Sequence, residues 1–135
     1  MNILKITVFF IFFSHINTPF SQNNNIIPEP KEQKIKKGYF SINENPNIIS
    51  AFEFNSAATL LKKTLKELKN ISEKKSKNVI IFSKNKKLDL EEYTLDINSD
   101  EIIIEASSHL GAIYACQSLK QLILLNNREG SVKIQ

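Results

Sequence analysis

Residues 56–71 carry the clearest periodicity in the chain. Ala57, Leu60, Leu61, Thr64, Leu65, Leu68 and Ile71 recur at three- and four-residue spacing, and Lys62, Lys63, Lys66, Glu67 and Lys69 fill the gaps. That pattern predicts a helix with one dry and one wet face, which Asn55 or Ser56 can cap. Residues 78–83 read NVIIFS, a short continuous apolar run that fits a central strand. Residues 92–106 predict a hairpin. Tyr93, Leu95 and Ile97 alternate with Thr94 and Asp96, the turn chemistry lies at residues 98–101, and Ile102, Ile103 and Ile104 return as the second strand. Residues 110–125 read LGAIYACQSLKQLILL, with Lys120 as the only charge in about four helical turns. Ser107 or Ser108 can cap this second helix, and Asn126 and Asn127 end it. Gly111 lies in its first turn, where the missing side chain allows a close approach to a neighbour. A helix that is apolar nearly all round needs cover on more than one side. A chain this short has little to offer as cover, which points to a partner or a second domain.

The N-terminal third is less regular. Ile26, Ile27, Pro28, Glu29 and Pro30 read as an extended segment whose prolines supply no ladder donors, so it is an edge strand at most. Residues 34–42 alternate loosely, with Ile35, Tyr39 and Ile42 as candidates for burial and Gly38 as a turn or bulge. Ile48 and Ile49 form a short extended piece after the turn at Asn45, Pro46 and Asn47. The order of strands, helix, strand, hairpin and helix predicts an α+β layer: a small mixed or antiparallel sheet with two helices packed on one face. There are no internal repeats.

Residues 1–21 stand apart from that domain. A short basic start at residues 1–5 precedes ITVFFIFF, an apolar run far shorter than the roughly 20 residues a membrane span needs. Polar residues follow, and Ser21 is a small residue suited to cleavage. This reads as a secretory signal peptide, so the mature chain is expected in the periplasm or outside the cell, with no membrane attachment after cleavage. The alternative is a buried N-terminal strand or helix. Residues 22–25 are then a polar leader, 26–127 the α+β domain and 128–135 the start of a linker.

Charge narrows the function classes. The chain has 18 Lys and Arg against 14 Asp and Glu. Loss of residues 1–21 removes only Lys5, leaving 17 basic and 14 acidic residues, a net charge of +3. Arg128 is the sole arginine, whereas sequence-reading proteins use arginine for bidentate contacts to guanine and phosphate. The lysines are spread along the chain instead of gathered on one element, so they read as solvated surface and no nucleic-acid partner is expected. A lysine-rich nucleic-acid binder would instead show steep salt dependence.

No credible active site is visible. Cys116 is the only cysteine, which excludes an internal disulfide. It lies inside the apolar helix, where a small buried hydrophobe is the simple reading. Asp100 and Glu101 are adjacent acids in a turn, and adjacent strand residues face opposite sides of a sheet. Glu91 and Glu92 precede a strand and read as solubilising residues. His109 reads as a helix-start residue. No His, Cys or carboxylate spacing suits a metal, and three glycines set far apart cannot build a phosphate loop. No cofactor, metal or catalytic residue is therefore assigned.

The ordered pieces do resemble a known family. Ile26-Ile27-Pro28-Glu29-Pro30, Lys36-Lys37-Gly38-Tyr39-Phe40 and Glu92-Tyr93-Thr94-Leu95-Asp96-Ile97 are the first three. The fourth is Ser108-His109-Leu110-Gly111-Ala112-Ile113-Tyr114-Ala115, continued by Gln117-Ser118-Leu119. Together they are similar to the non-catalytic N-terminal domain of bacterial β-N-acetylhexosaminidases, glycoside hydrolase family 20. Glu101 stands where a glycine often completes the family's turn, and Ser118 where threonine is usual. The resemblance implies a small α+β layer that flanks a (β/α)8 barrel in cis. It also implies that the catalytic Asp-Glu pair belongs to that barrel, where the substrate's own acetamido group attacks the anomeric carbon. Asp100 and Glu101 do not correspond to that pair.

Two functions follow from this reading. The first is a non-catalytic support domain of an exported β-N-acetylhexosaminidase, here without its barrel as a gene fragment, a truncated product or one piece of a split gene. The full enzyme would remove terminal N-acetylhexosamine from glycans; this chain alone is expected to be inactive. Its predicted domain-interface helix presents Leu110, Ile113, Tyr114, Gln117, Gln121 and Leu124. The second is a stand-alone periplasmic module that binds carbohydrate or protein, although no Trp and three Tyr offer few stacking platforms for sugar rings.

Overall fold

A computed structural model describes residues 26–34, 40–42, 45–68, 77–128 and 131–134. The elements in chain order are β1 (Phe40–Ser41), β2 (Asn47–Ser50), a 3-10 turn (Phe52–Phe54), α1 (Asn55–Glu67) and β3 (Val79–Lys84). Then come β4 (Tyr93–Ile97), β5 (Glu101–Ala106), α2 (His109–Asn126), β6 (Asn127–Arg128) and β7 (Ser131–Ile134). The fold is α+β, with a four-stranded mixed sheet in the order β2-β3-β5-β4. Strands β2, β3 and β5 run parallel, and β4 returns antiparallel to β5 through the hairpin.

Strand register explains why one face of this sheet is dry. Ile48, Ile80, Ile102 and Ile97 form one cross-strand row; Ser50, Phe82, Ile104 and Leu95 form the next. Because side chains alternate between faces, these rows lie on the same side, where Ile80, Phe82, Ile102 and Ile104 are buried. Both helices supply the opposing layer: Ala57, Leu61 and Leu65 from α1, and Ala112, Ala115, Leu119, Leu122 and Ile123 from α2. The ring of Phe54 packs on that of Phe82, with centroids 6.4 Å apart. Strand β3, the predicted central strand, has a neighbour on each side, but its second face, with Val79, Ile81 and Ser83, is only half-buried.

Three expectations change. The first helix stops at Glu67, because Leu68 turns extended with ψ at 122°; residues 69–76, with Ile71, lie outside the described residues. Neither Asn55 nor Ser56 caps it. The 3-10 turn winds straight into α1, and the backbone N–H of Asn55 donates to the Phe52 carbonyl, so both residues sit inside the helix. Residues 128–135 were expected to begin a linker; of the described residues in that range, Arg128 closes β6 and residues 131–134 form β7. Strand β7 pairs with β1 and β6 in a second small sheet, order β1-β7-β6, which packs near α2.

Residues 26–34 form no strand. Ile26 is buried in the core and the rest of the segment runs over the surface as a strap with a cis peptide at Ile27–Pro28. Ile42 is buried as expected, whereas Ile35, Gly38 and Tyr39 lie outside the described residues. Among the described residues no helix is long and apolar enough to cross a membrane.

Candidate functional site

Helix α2 is the element whose two sides differ most from ordinary surface. Its start is fixed by Ser108, whose hydroxyl accepts the N–H groups of Leu110 at 3.1 Å and Gly111 at 3.3 Å and donates to the Leu90 carbonyl. That is an N-cap satisfying two of the helix's orphan donors. Gly111 lets the helix approach the entry to β4. A Cβ placed there would lie 2.5 Å from the Glu92 carbonyl oxygen and 3.3 Å from the Ala106 side chain. Further along, the buried Ser118 hydroxyl meets the Tyr93 hydroxyl at 2.6 Å. Cys116 is buried against α1, 3.7 Å from the Ala57 carbonyl, and burial pushes its thiol up to about 12. It has neither the access nor the acidity of a nucleophile.

The other side of α2 is open. Leu110, Tyr114, Leu124 and Leu125 are 42%, 40%, 52% and 47% exposed. Residues 110, 114, 117, 121 and 124 follow three-four spacing, so they share one face. Of the residues expected at a domain interface, Leu110, Tyr114, Gln117 and Leu124 are exposed. Ile113 is half-buried against the core. Gln121 is engaged within the chain: its Oε1 accepts the Ile27 N–H at 2.9 Å and its Nε2 donates to the Ile27 carbonyl at 2.8 Å. This clamp holds Ile27, 76% exposed, beside the apolar stripe. The proline-rich segment needs it, because Pro28 and Pro30 bring no N–H of their own. Sequence periodicity placed Gln121 on the face but held no signal for its partner.

Two more exposed apolar residues surround the N-terminal end of α2. Phe52 stands on the 3-10 turn, which packs against α2, and Leu90 precedes β4 beside Ser108. Neither belongs to a periodic run, so pattern reading could not select them.

The acids do structural work. In the hairpin turn, Asn98 Oδ1 accepts the N–H groups of Asp100 at 2.9 Å and Glu101 at 3.0 Å, and Ser99 donates to Asp100. Glu92 accepts the Asp89 N–H at 3.1 Å and pairs with Lys31 at 3.2 Å; the Asp89 hydrogen bond, then Lys31, lowers its pKa. His109 Nδ1 lies 3.2 Å from the Ser56 hydroxyl, linking the first turns of the two helices. Among the described residues no group of three His, Cys, Asp or Glu could hold a metal.

This layout matches a known domain. The family model described as glycosyl hydrolase family 20, domain 2, matches residues 23–134. The chain belongs to that family. Solved structures share its fold. The GH20 exo-β-N-acetylglucosaminidase of Vibrio harveyi, solved with N-acetylglucosamine, superposes with a TM-score of 0.63 at 26% identity. That match covers 80% of this chain and 18% of the Vibrio chain. The chitobiase FjGH20 of Flavobacterium johnsoniae shares the fold with a TM-score of 0.62 at 22% identity, over 82% of this chain and 19% of its own. The protein CpGH84B does so with a TM-score of 0.64 at 23% identity, over 83% of this chain and 21% of its own. No curated protein matches the chain. The family 20 chain thus spans about a fifth of the length of these solved structures. The residues that carried the resemblance, Tyr93, Gly111 and Ser118 among them, hold α2 to the sheet.

Proposed function

We propose that this chain is the non-catalytic support domain of an exported β-N-acetylhexosaminidase, and that α2 docks it to a catalytic (β/α)8 barrel outside the 135 residues. The observation that carries this reading is the open stripe of Leu110, Tyr114, Leu124 and Leu125 on a helix whose opposite face is buried. Large apolar residues gathered on one face of a helix mark an interaction site more often than chance exposure. The share of each family 20 neighbour that this chain covers leaves room for such a barrel in a full-length relative. Export rests on the basic and apolar start of the sequence.

In this reading the chain by itself has no glycosidase activity. The test is to assay the purified protein on an aryl β-N-acetylglucosaminide and to read the DNA downstream of the codon for Gln135. An inactive protein followed by a coding region for a barrel with an adjacent Asp-Glu pair supports it. Turnover that a substitution within this chain abolishes would sink it.

A further inference from the structure

Strand β4 closes one side of the main sheet, and among the described residues its only strand neighbour is β5. The Asn98 N–H donates to the Glu101 carbonyl at 3.1 Å, so that pair is hydrogen-bonded. Antiparallel pairs alternate. Asp96 and Thr94 therefore bond toward β5, and the main-chain groups of Tyr93, Leu95 and Ile97 point outward. Across from this edge runs the strap of residues 26–34, which is not in ladder contact with it. The strap is tied at one end by the Gln121 clamp and at the other by the Lys31–Glu92 ion pair. Between strap and strand lies an open groove of about 1130 Å³.

We infer that this groove receives an extended peptide of alternating apolar and basic residues, added antiparallel to the edge of β4. Main-chain bonds to Tyr93, Leu95 and Ile97 would supply the affinity, as in other strand additions. The side chains at the edge set the pattern. Tyr93, Leu95 and Ile97 face the helix layer, and Leu122 lines the same groove, so every second residue of the guest meets apolar surface. Charge sets the rest. The two lysines lining the groove, Lys31 and Lys34, are already paired with Glu92 and Glu32. Glu29, Asp89 and Glu91 line it as well and leave it negative. A second copy of this chain, added edge to edge, would set those carboxylates against their own kind, which is unfavourable.

The groove is a different surface from the open stripe of Leu110, Tyr114, Leu124 and Leu125 on α2, so failure of this inference leaves the docking reading intact. The test uses the full chain and a capped heptapeptide, Lys-Val-Lys-Val-Lys-Val-Lys, at low salt where screening is weak. Residue-resolved amide exchange and a binding isotherm are recorded together. The expected result is saturable binding that slows exchange at Tyr93, Leu95 and Ile97 and leaves Thr94 and Asp96 unchanged. A proline at the central position of the peptide removes binding, and the surface variant Glu29→Gln/Glu91→Gln weakens it about fivefold. Any of four results overturns the inference: no binding, binding indifferent to the proline, a dimer of the chain formed through β4, or slow exchange at those three amides before peptide is added. The last would mean that the chain already covers its own edge.

Discussion

The hydroxyls of Tyr93 on β4 and Ser118 on α2 lie 2.6 Å apart. The bond crosses from the sheet to the helix layer, and Ser118 is the one buried polar side chain among the described residues. A buried hydroxyl without a partner costs about 1–3 kcal/mol, more than the bond itself contributes when made. Tyr93→Phe is therefore expected to destabilise the domain by about 1–2 kcal/mol. Ser118→Ala leaves the half-buried phenol nearer to water and should cost less. The double variant should cost less than the sum of the two, because neither orphan remains. Denaturant titration of all four proteins checks this; strict additivity would show that the bond contributes nothing.

Gly111 makes the opposite kind of contact, one defined by an atom that is absent. In an exposed helix, glycine to alanine stabilises by about 1 kcal/mol. Here the new methyl would sit 2.5 Å from the Glu92 carbonyl oxygen, a backbone atom that cannot swing aside. Forcing α2 away from the sheet costs about 1–3 kcal/mol as overpacking does. Gly111→Ala is thus expected to lower the melting temperature despite its better helix propensity. A rise in melting temperature would mean that the helix shifts freely, and that the glycine is not needed for the approach.

These two contacts show which parts of the fold were legible in the sequence. Periodicity found both helices, the hairpin and β3, because burial on one side writes itself as spacing. It also found Gly111, since a glycine inside an apolar helix has few other reasons to be there. The start of α1 was hidden: Asn55 and Ser56 have capping chemistry, but the carbonyls of Ala51 and Phe52 take the first N–H groups instead. Strand β7 was hidden because its pairing with Phe40–Ser41 is long-range and leaves no local pattern, and β6, two residues long, pairs only with β7. Gln121 could be placed on the right face, yet its two bonds to Ile27 span 94 residues of sequence. No amide announces such a partner.

Cys116 gives a prediction in pH. Burial raises its thiol from an ordinary 9.0 to about 12 in the folded chain. The unfolded chain loses this proton first, so in that window the folded state binds more protons and stability falls as pH rises. The contribution is fully present below about pH 9 and is lost progressively between there and about pH 12. Comparing the pH dependence of unfolding for the wild type and Cys116→Ala isolates it, since the variant lacks the titrating group. The same burial predicts that a thiol reagent labels the protein at mildly alkaline pH only after denaturant is added. Prompt labelling of the folded protein would contradict the buried position.

The two sides of α2 should respond in opposite ways to substitution. Leu119 is fully buried, and Leu119→Ala removes methyl groups from a packed core, at a cost of about 2–5 kcal/mol. Leu124 is 52% exposed, so Leu124→Gln should change stability by less than about 0.5 kcal/mol. What Leu124→Gln should change is association. With Tyr114→Ser added, the stripe loses much of its apolar area, and binding of a hydrophobic dye and self-association by sedimentation should both decrease. The single and double variants must keep wild-type melting for this comparison to hold, and their exposure says they do. If Leu124→Gln unfolds the domain, the stripe is core and not surface. If the double variant folds normally and leaves dye binding and association unchanged, the open face of α2 is not sticky, and a docking role for it loses its physical basis.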